Sequence, residues 1–191
     1  MKITGLDLSL RKTGVAHAHL ERKPWATTCR IQTPDKMPTY DRLNLILREV
    51  GNHTRLADLV LMENLAFGQS TNKAGELAGL HWLVRLGLYR RGIPHVVVTT
   101  QQLKIYATGK GTKVDKDDVL AAMIKRYPDV EIAGNDGADA LALAALGAHY
   151  FGCRLRPVPQ THERALAMVA WPLWVQEMKE ARDGASDHPS A

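Results

Sequence analysis

The chain has 191 residues, 45% of them hydrophobic and 24% charged, and a formal net charge of +5. That balance suits one globular domain with some surplus length and excludes wholesale disorder. No apolar run approaches the roughly 18 residues of a membrane span, Asp7 falls where a signal peptide needs an apolar core, and Cys29 and Cys153 lack disulfide or metal-ligand spacing, so a reduced, cytoplasmic protein is expected.

Three close-set apolar segments, Lys2–Leu8, Gly14–Leu20 and Trp25–Thr33, read as an antiparallel meander of strands. The period then changes: after Pro38, residues Leu43, Ile46, Leu47 and Val50 form a helical stripe that ends near Gly51. Asp58–Met62 is a short buried strand followed at once by Glu63, and Phe67–Lys73 is a loop. From about Lys73 to Arg91 the sequence is apolar around much of a helix, closing on Arg90, Arg91 and Gly92, which suit a helix C-terminus. Ile93–Val98 is another buried strand, and Gln101–Tyr106 a short helix. Thr108–Lys113 is too rich in Gly and Lys to pack. Asp115 caps a helix to about Tyr127, and Asp136–Phe151, dominated by Ala and Leu, is a further helix. Strands first, then strand–helix alternation, predict an α/β protein with a mixed sheet and helices on its faces.

The tail from Leu155 has a net charge of −1, leaving +6 on the first 154 residues, so the basicity belongs to the main body. Within the tail, Leu166, Val169, Leu173 and Trp174 form an apolar stripe expected to dock on the body, with Pro172 breaking the helix. Gly184–Ala191 reads as disordered, and Trp25, Trp82, Trp171 and Trp174 as packing residues.

Four acids stand out by position. Asp7 lies in the first strand, Glu63 at the end of the fourth, and Asp136 and Asp139 three apart on one face of the last body helix. A lone acid at a strand or helix end is ordinarily a solvated group, and Asp136 and Asp139 would each suit a helix N-terminus. Yet Asp139 runs directly into ALALAALGA, and Glu63 is flanked by VLM and LAF, so these charges sit against buried segments. If the first and fourth strands are neighbours, all four carboxylates converge. They cannot all stay ionised without a cation between them, and an all-oxygen ligand set suits Mg²⁺, with Mn²⁺ able to substitute. Two such ions can activate water for phosphodiester cleavage. Lys104, Lys110, Lys113 and Lys116 against Asp115 give +3 over thirteen residues, either a solvated loop or a phosphate-contacting one that Gly109 and Gly111 let approach closely.

Gly5-Leu6-Asp7-Leu8-Ser9 with Thr13-Gly14, Met62-Glu63-Asn64, the Thr108–Gly111 loop with Lys113 and Lys116, and Asn135-Asp136-Gly137-Ala138-Asp139-Ala140 resemble, in order, the motifs of RuvC-type Holliday-junction resolvases over about residues 1–152. The resemblance implies an RNase H-like fold: a five-stranded mixed sheet, its first three strands antiparallel, with helices on both faces. The nuclease domain is expected over residues 1–154; the tail, 155–191, lies past the matching part and reads from its own pattern as a helical C-terminal extension with a disordered end. The resemblance further implies a homodimeric, metal-dependent endonuclease that resolves four-way DNA junctions by paired symmetric nicks. Asp7, Glu63, Asp136 and Asp139 become the metal-binding catalytic tetrad, and Lys104, Lys110, Lys113 and Lys116 DNA-binding residues. Phe67 is either an aromatic wedge into the junction or a core residue. The helix from Lys73 to Arg91 can cover the sheet and still present Leu or Trp82 to a partner subunit. Competing readings are a non-catalytic RNase H-like nucleic-acid-binding module, an RNA-cleaving relative, and an actin-like phosphate-binding ATPase. The ATPase reading needs a second copy of the unit, which this sequence lacks.

Overall fold

A computed structural model of the chain describes residues 1–21, 23–65 and 72–186. Five strands, β1 (Lys2–Asp7), β2 (Lys12–His19), β3 (Trp25–Gln32), β4 (Leu59–Glu63) and β5 (His95–Val98), form one sheet in the order β3-β2-β1-β4-β5. The first three run antiparallel, and β4 and β5 continue the sheet in parallel with β1. This is the mixed sheet expected from the strand-then-alternation pattern.

Strand alternation sorts the core into two layers. On one face, Leu6, Val15, Val60 and Met62 pack under α1 (Thr39–Thr54) and α2 (Asn72–Arg90), which contribute Ile46, Val50, Leu80, Val84 and Leu88. On the other, Ile3, Ala16, Leu61, Val96 and Val98 pack under α3 (Thr100–Thr108), α4 (Lys116–Arg126) and α5 (Gly134–Tyr150). The short helices α3 and α4 are each closed by a capping box, Thr99 with Gln102 and Asp115 with Asp118, which satisfies backbone N–H groups that a helix start leaves open. Arg42, buried on α1, donates five hydrogen bonds to Leu10, Thr33, Pro34, Asp35 and Met37, fixing the turns that follow β1 and β3.

Helix α5 lies across β1, β2, β3 and β4, and at two points its backbone comes directly against theirs. A Cβ placed on Gly5 would come within 2.0 Å of the Ala140 carbonyl oxygen, and one on Gly14 within 1.9 Å of the Asp136 carbonyl oxygen. Both neighbours are backbone and cannot swing aside. Glycine at these positions is therefore what allows the helix to sit directly on the strands.

The tail forms α6 (Gln160–Met168) and α7 (Leu173–Ser186), separated by the break expected at Pro172. It docks on the body: α6 packs on α3, and Ala165, Val169 and Val175 are buried in the α5-side core. Three expectations are corrected here. Leu173 is 69% exposed and Trp174 is 38% exposed, because the break resets the helical phase and turns Val175 inward instead. Residues 184–186 are helical rather than disordered. Of the tryptophans, Trp171 packs, stacked on Tyr150 with ring centroids 3.7 Å apart, whereas Trp25 is half exposed against His19 and Trp82 is 66% exposed on the outer face of α2. Among the described residues, no helix is long and apolar enough to cross a membrane.

Gly5→Ala should lower the free energy of unfolding by about 1–3 kcal/mol or more, since the added methyl meets backbone. Gly79→Ala, on α2 with nothing within 4 Å, should be neutral or stabilising. Urea unfolding of the two variants compares them.

Candidate active site

Side-chain alternation and strand register bring the first two acids together. Asp7 is in phase with Ile3 and Gly5, so it faces α5, and Glu63 is in phase with Leu59 and Leu61 on the same face. The parallel register pairs Ile3 with Leu59 and Gly5 with Leu61, an offset that sets Glu63 level with Asp7 at the strand ends. The contact of Gly14 with the Asp136 carbonyl pins the first turn of α5 beside them, which delivers Asp139.

Carboxylate oxygens of Asp7, Glu63 and Asp139 all lie within 4.8 Å of one another. Asp136 lines the same cleft, about 380 Å³ in volume, outside this tight group. Asp7 is 7% exposed and Asp139 6%. Burial, then repulsion from Glu63 and Asp139, pushes the Asp7 carboxyl up to about 8, with Lys116 partly opposing. Burial and Glu63 likewise push Asp139 up to about 7. Burial pulls Lys116 down, but the surrounding carboxylates prevail and hold its ammonium above the usual lysine range. Glu63 Oε1 accepts a hydrogen bond from the Thr100 hydroxyl at 2.5 Å, which orients that carboxylate from the start of α3. A crowded, half-desolvated set of oxygen donors with unrelieved repulsion fits a hard divalent cation.

Of the other residues singled out in the sequence, Lys104 and Lys116 line this cleft, and the Lys104 ammonium donates to the Val114 carbonyl at 2.6 Å. Lys110 and Lys113 do not reach it; they line a separate cavity beside the tail. Phe67 lies outside the described residues. Ser9, from the first motif, lines the acidic cleft, as do His81 and Thr100, which the sequence did not single out. His81 is 8% exposed, and burial, then Arg85, lowers its pKa to about 4, so it enters the cleft as a neutral imidazole. A histidine on an apolar helix face has no motif to announce it, and Thr100 follows a strand with no distinguishing neighbour.

No family model matches the chain. It is 30% identical over 152 residues to the crossover junction endodeoxyribonuclease RuvC of Synechococcus sp. (strain WH7803), covering 77% of this chain and 97% of that protein. It is 26% identical over 178 residues to the RuvC of Paenarthrobacter aurescens (strain TC1), covering 90% and 93%. Among solved structures, it resembles Thermus thermophilus RuvC in complex with a Holliday junction substrate, with a TM-score of 0.62 and 19% identity over 83% of this chain and 99% of that one.

A carboxyl whose pKa is higher in the folded state than in the unfolded one holds its proton better when folded. Its contribution to stability is complete below about pH 4 and is lost as the pH rises through the folded value. With Asp7 near 8 and Asp139 near 7, the metal-free protein should lose stability between pH 4 and pH 8. Asp7→Asn should therefore melt higher than wild type at pH 8 in EDTA and show no such gain at pH 4, as thermal unfolding at the two pH values would reveal.

Proposed function

This chain belongs to the RuvC family of crossover junction endodeoxyribonucleases, and on that basis we infer that it is a metal-dependent, structure-selective endonuclease that resolves four-way DNA junctions by paired symmetric nicks. The observation that carries the assignment to named residues is the convergence of Asp7, Glu63 and Asp139 within 4.8 Å at the ends of the interior strands β1 and β4, with Asp136 in the same cleft. These four are the residues to hold Mg²⁺, or Mn²⁺ in its place. When bound, such ions supply water activation and charge neutralisation at a phosphodiester. The protein's own groups do the rest. Thr100 fixes the Glu63 carboxylate, and the carbonyl of Val114 anchors Lys104 at the cleft wall. Lys116 brings positive charge to a site that would otherwise repel a phosphate, and the two lysines meet the DNA backbone without reading its bases. A protein that works on DNA and whose two cysteines are free suits the cytoplasm.

Two symmetric cuts need two identical sites, which a C2 homodimer supplies. The outer face of α2 leaves Trp82, Leu83, Leu86 and Tyr89 exposed, at 66%, 41%, 42% and 76%. Apolar residues of this size, clustered by helical spacing on one face, suit burial against the same face of a second copy.

Purified protein should cut a labelled four-way junction in Mg²⁺ and not in EDTA, and should leave plain duplex and RNA–DNA hybrid largely intact. Asp7→Asn should abolish cutting while retaining junction binding, because it removes a ligand but no positive surface; wild-type turnover by this variant would remove Asp7 from the catalytic set. Trp82→Asp with Leu86→Asp should convert a dimer to a monomer in light scattering at micromolar concentration. A wild-type protein that is monomeric both free and DNA-bound would overturn the dimer.

A further inference from the structure

The acidic cleft has a second wall. Its carboxylates, Lys104 and Lys116 stand on the side of the sheet covered by α3, α4 and α5, whereas Leu77 and His81 reach it from α2 on the opposite side. Leu77, His81, Val84 and Leu88 recur at helical spacing, so His81 occupies the stripe by which α2 covers the sheet. An apolar side chain would fill such a position at no cost. An imidazole brings polar atoms that burial penalises unless something meets them.

Neither ring nitrogen of His81 has a hydrogen-bond or ion-pair partner among the described residues, although the residue is only 8% exposed. Nor are these nitrogens sealed away: the shut-in polar atoms without a partner among the described residues are the Tyr127 hydroxyl and Nδ1 of His149. The imidazole therefore meets whatever enters the cleft it lines.

Its place separates it from the metal ligands. Asp7, Glu63 and Asp139 form the tight group of oxygen donors, and His81 is not part of it. Burial and Arg85 are what hold the ring neutral, with no carboxylate among the causes. A neutral imidazole offers one N–H donor and one acceptor. A cation belongs with the acids, so the α2 wall faces the rest of an entering strand, whose phosphate oxygens only accept. On that helix Leu77 is apolar, which leaves His81 as the α2 residue of the cleft able to donate.

We propose that His81 is a further substrate-contacting residue, its imidazole N–H donating to a non-bridging phosphate oxygen of the strand being cut, across the cleft from the acids. One contact among the many that a junction makes adds little to affinity. A contact beside the reacting bond sets the alignment of the strand, so its loss falls on the rate. The inference rests on the junction-cleaving function proposed above.

The test is single-turnover cleavage of a labelled four-way junction in Mg²⁺ by saturating full-length protein, with affinity measured in EDTA. His81→Leu fills the same space without nitrogens, and a melting curve checks its fold. It should cut about tenfold more slowly while binding within about twofold of wild type. His81→Gln, which keeps an N–H donor, should recover most of the rate. Methylphosphonate linkages, introduced singly around the cleavage point, identify the accepting oxygen. At one of them wild type should slow while His81→Leu slows no further. Wild-type cutting by His81→Leu, or penalties that simply multiply at every linkage, would remove His81 from the substrate contacts and leave the nuclease reading intact. If His81→Leu does not fold, the imidazole ¹⁵N resonances of wild type decide, identified by their loss in His81→Gln. Junction added in EDTA should shift them, and unmoved resonances would overturn the proposal. If wild type cuts no junction in Mg²⁺, the proposal falls together with the function it rests on.

Discussion

The contact between the backbone of α5 and the backbones of β1 and β2 governs the rest of this molecule. Gly5 and Gly14 remove the side chains that would keep the helix at an ordinary distance, and Gly147 does the same from the helix side, where a Cβ would fall within 2.6 Å of Leu61. With the helix seated this closely, its Ala140, Ala144 and Gly147 face is filled by the sheet itself. That seating decides how far Asp139 stands from Asp7. It also gives α3, α4 and the tail the surface on which they assemble.

The acidic cleft is the electrostatic counterpart of that packing. Bringing Asp139 up to Asp7 and Glu63 forces three carboxylates into a desolvated space, and burial and mutual repulsion raise two of them far above their usual range. Lys116 relieves only part of this. A hard divalent cation fits such a centre, and its charge would relieve the repulsion that burial leaves in place.

Much of this was legible in the sequence, and the reasons are physical. The strands showed through β-rich runs at close spacing, and the acids through their position against apolar segments that could not tolerate them as ordinary surface groups. The two-layer core followed from alternation. What did not show were features that depend on phase or on distant contacts. Leu173 and Trp174 look buried on one continuous helix, but the break at Pro172 rotates them outward and leaves the inward place to Val175. Trp82 and Trp25 look like core because of their size, but Trp82 stands on the outer face of α2 and Trp25 begins the edge strand β3, and both are left exposed. Thr100 and His81 enter the cleft from elements whose local sequence has no motif.

The acidic cleft draws on the first strand and on the start of α5, so Asp7 waits for Asp139 across nearly the whole body of the chain. β1 is the central strand, yet its parallel neighbour β4 and the helix that covers it are synthesised long after it. Contacts of such long sequence separation form late and slowly. A nascent chain emerging from the ribosome therefore has no assembled centre until residue 139 is free to fold back. The acidic cluster is thus complete only once α5 has been made, and a chain truncated before α5 lacks Asp136 and Asp139 altogether.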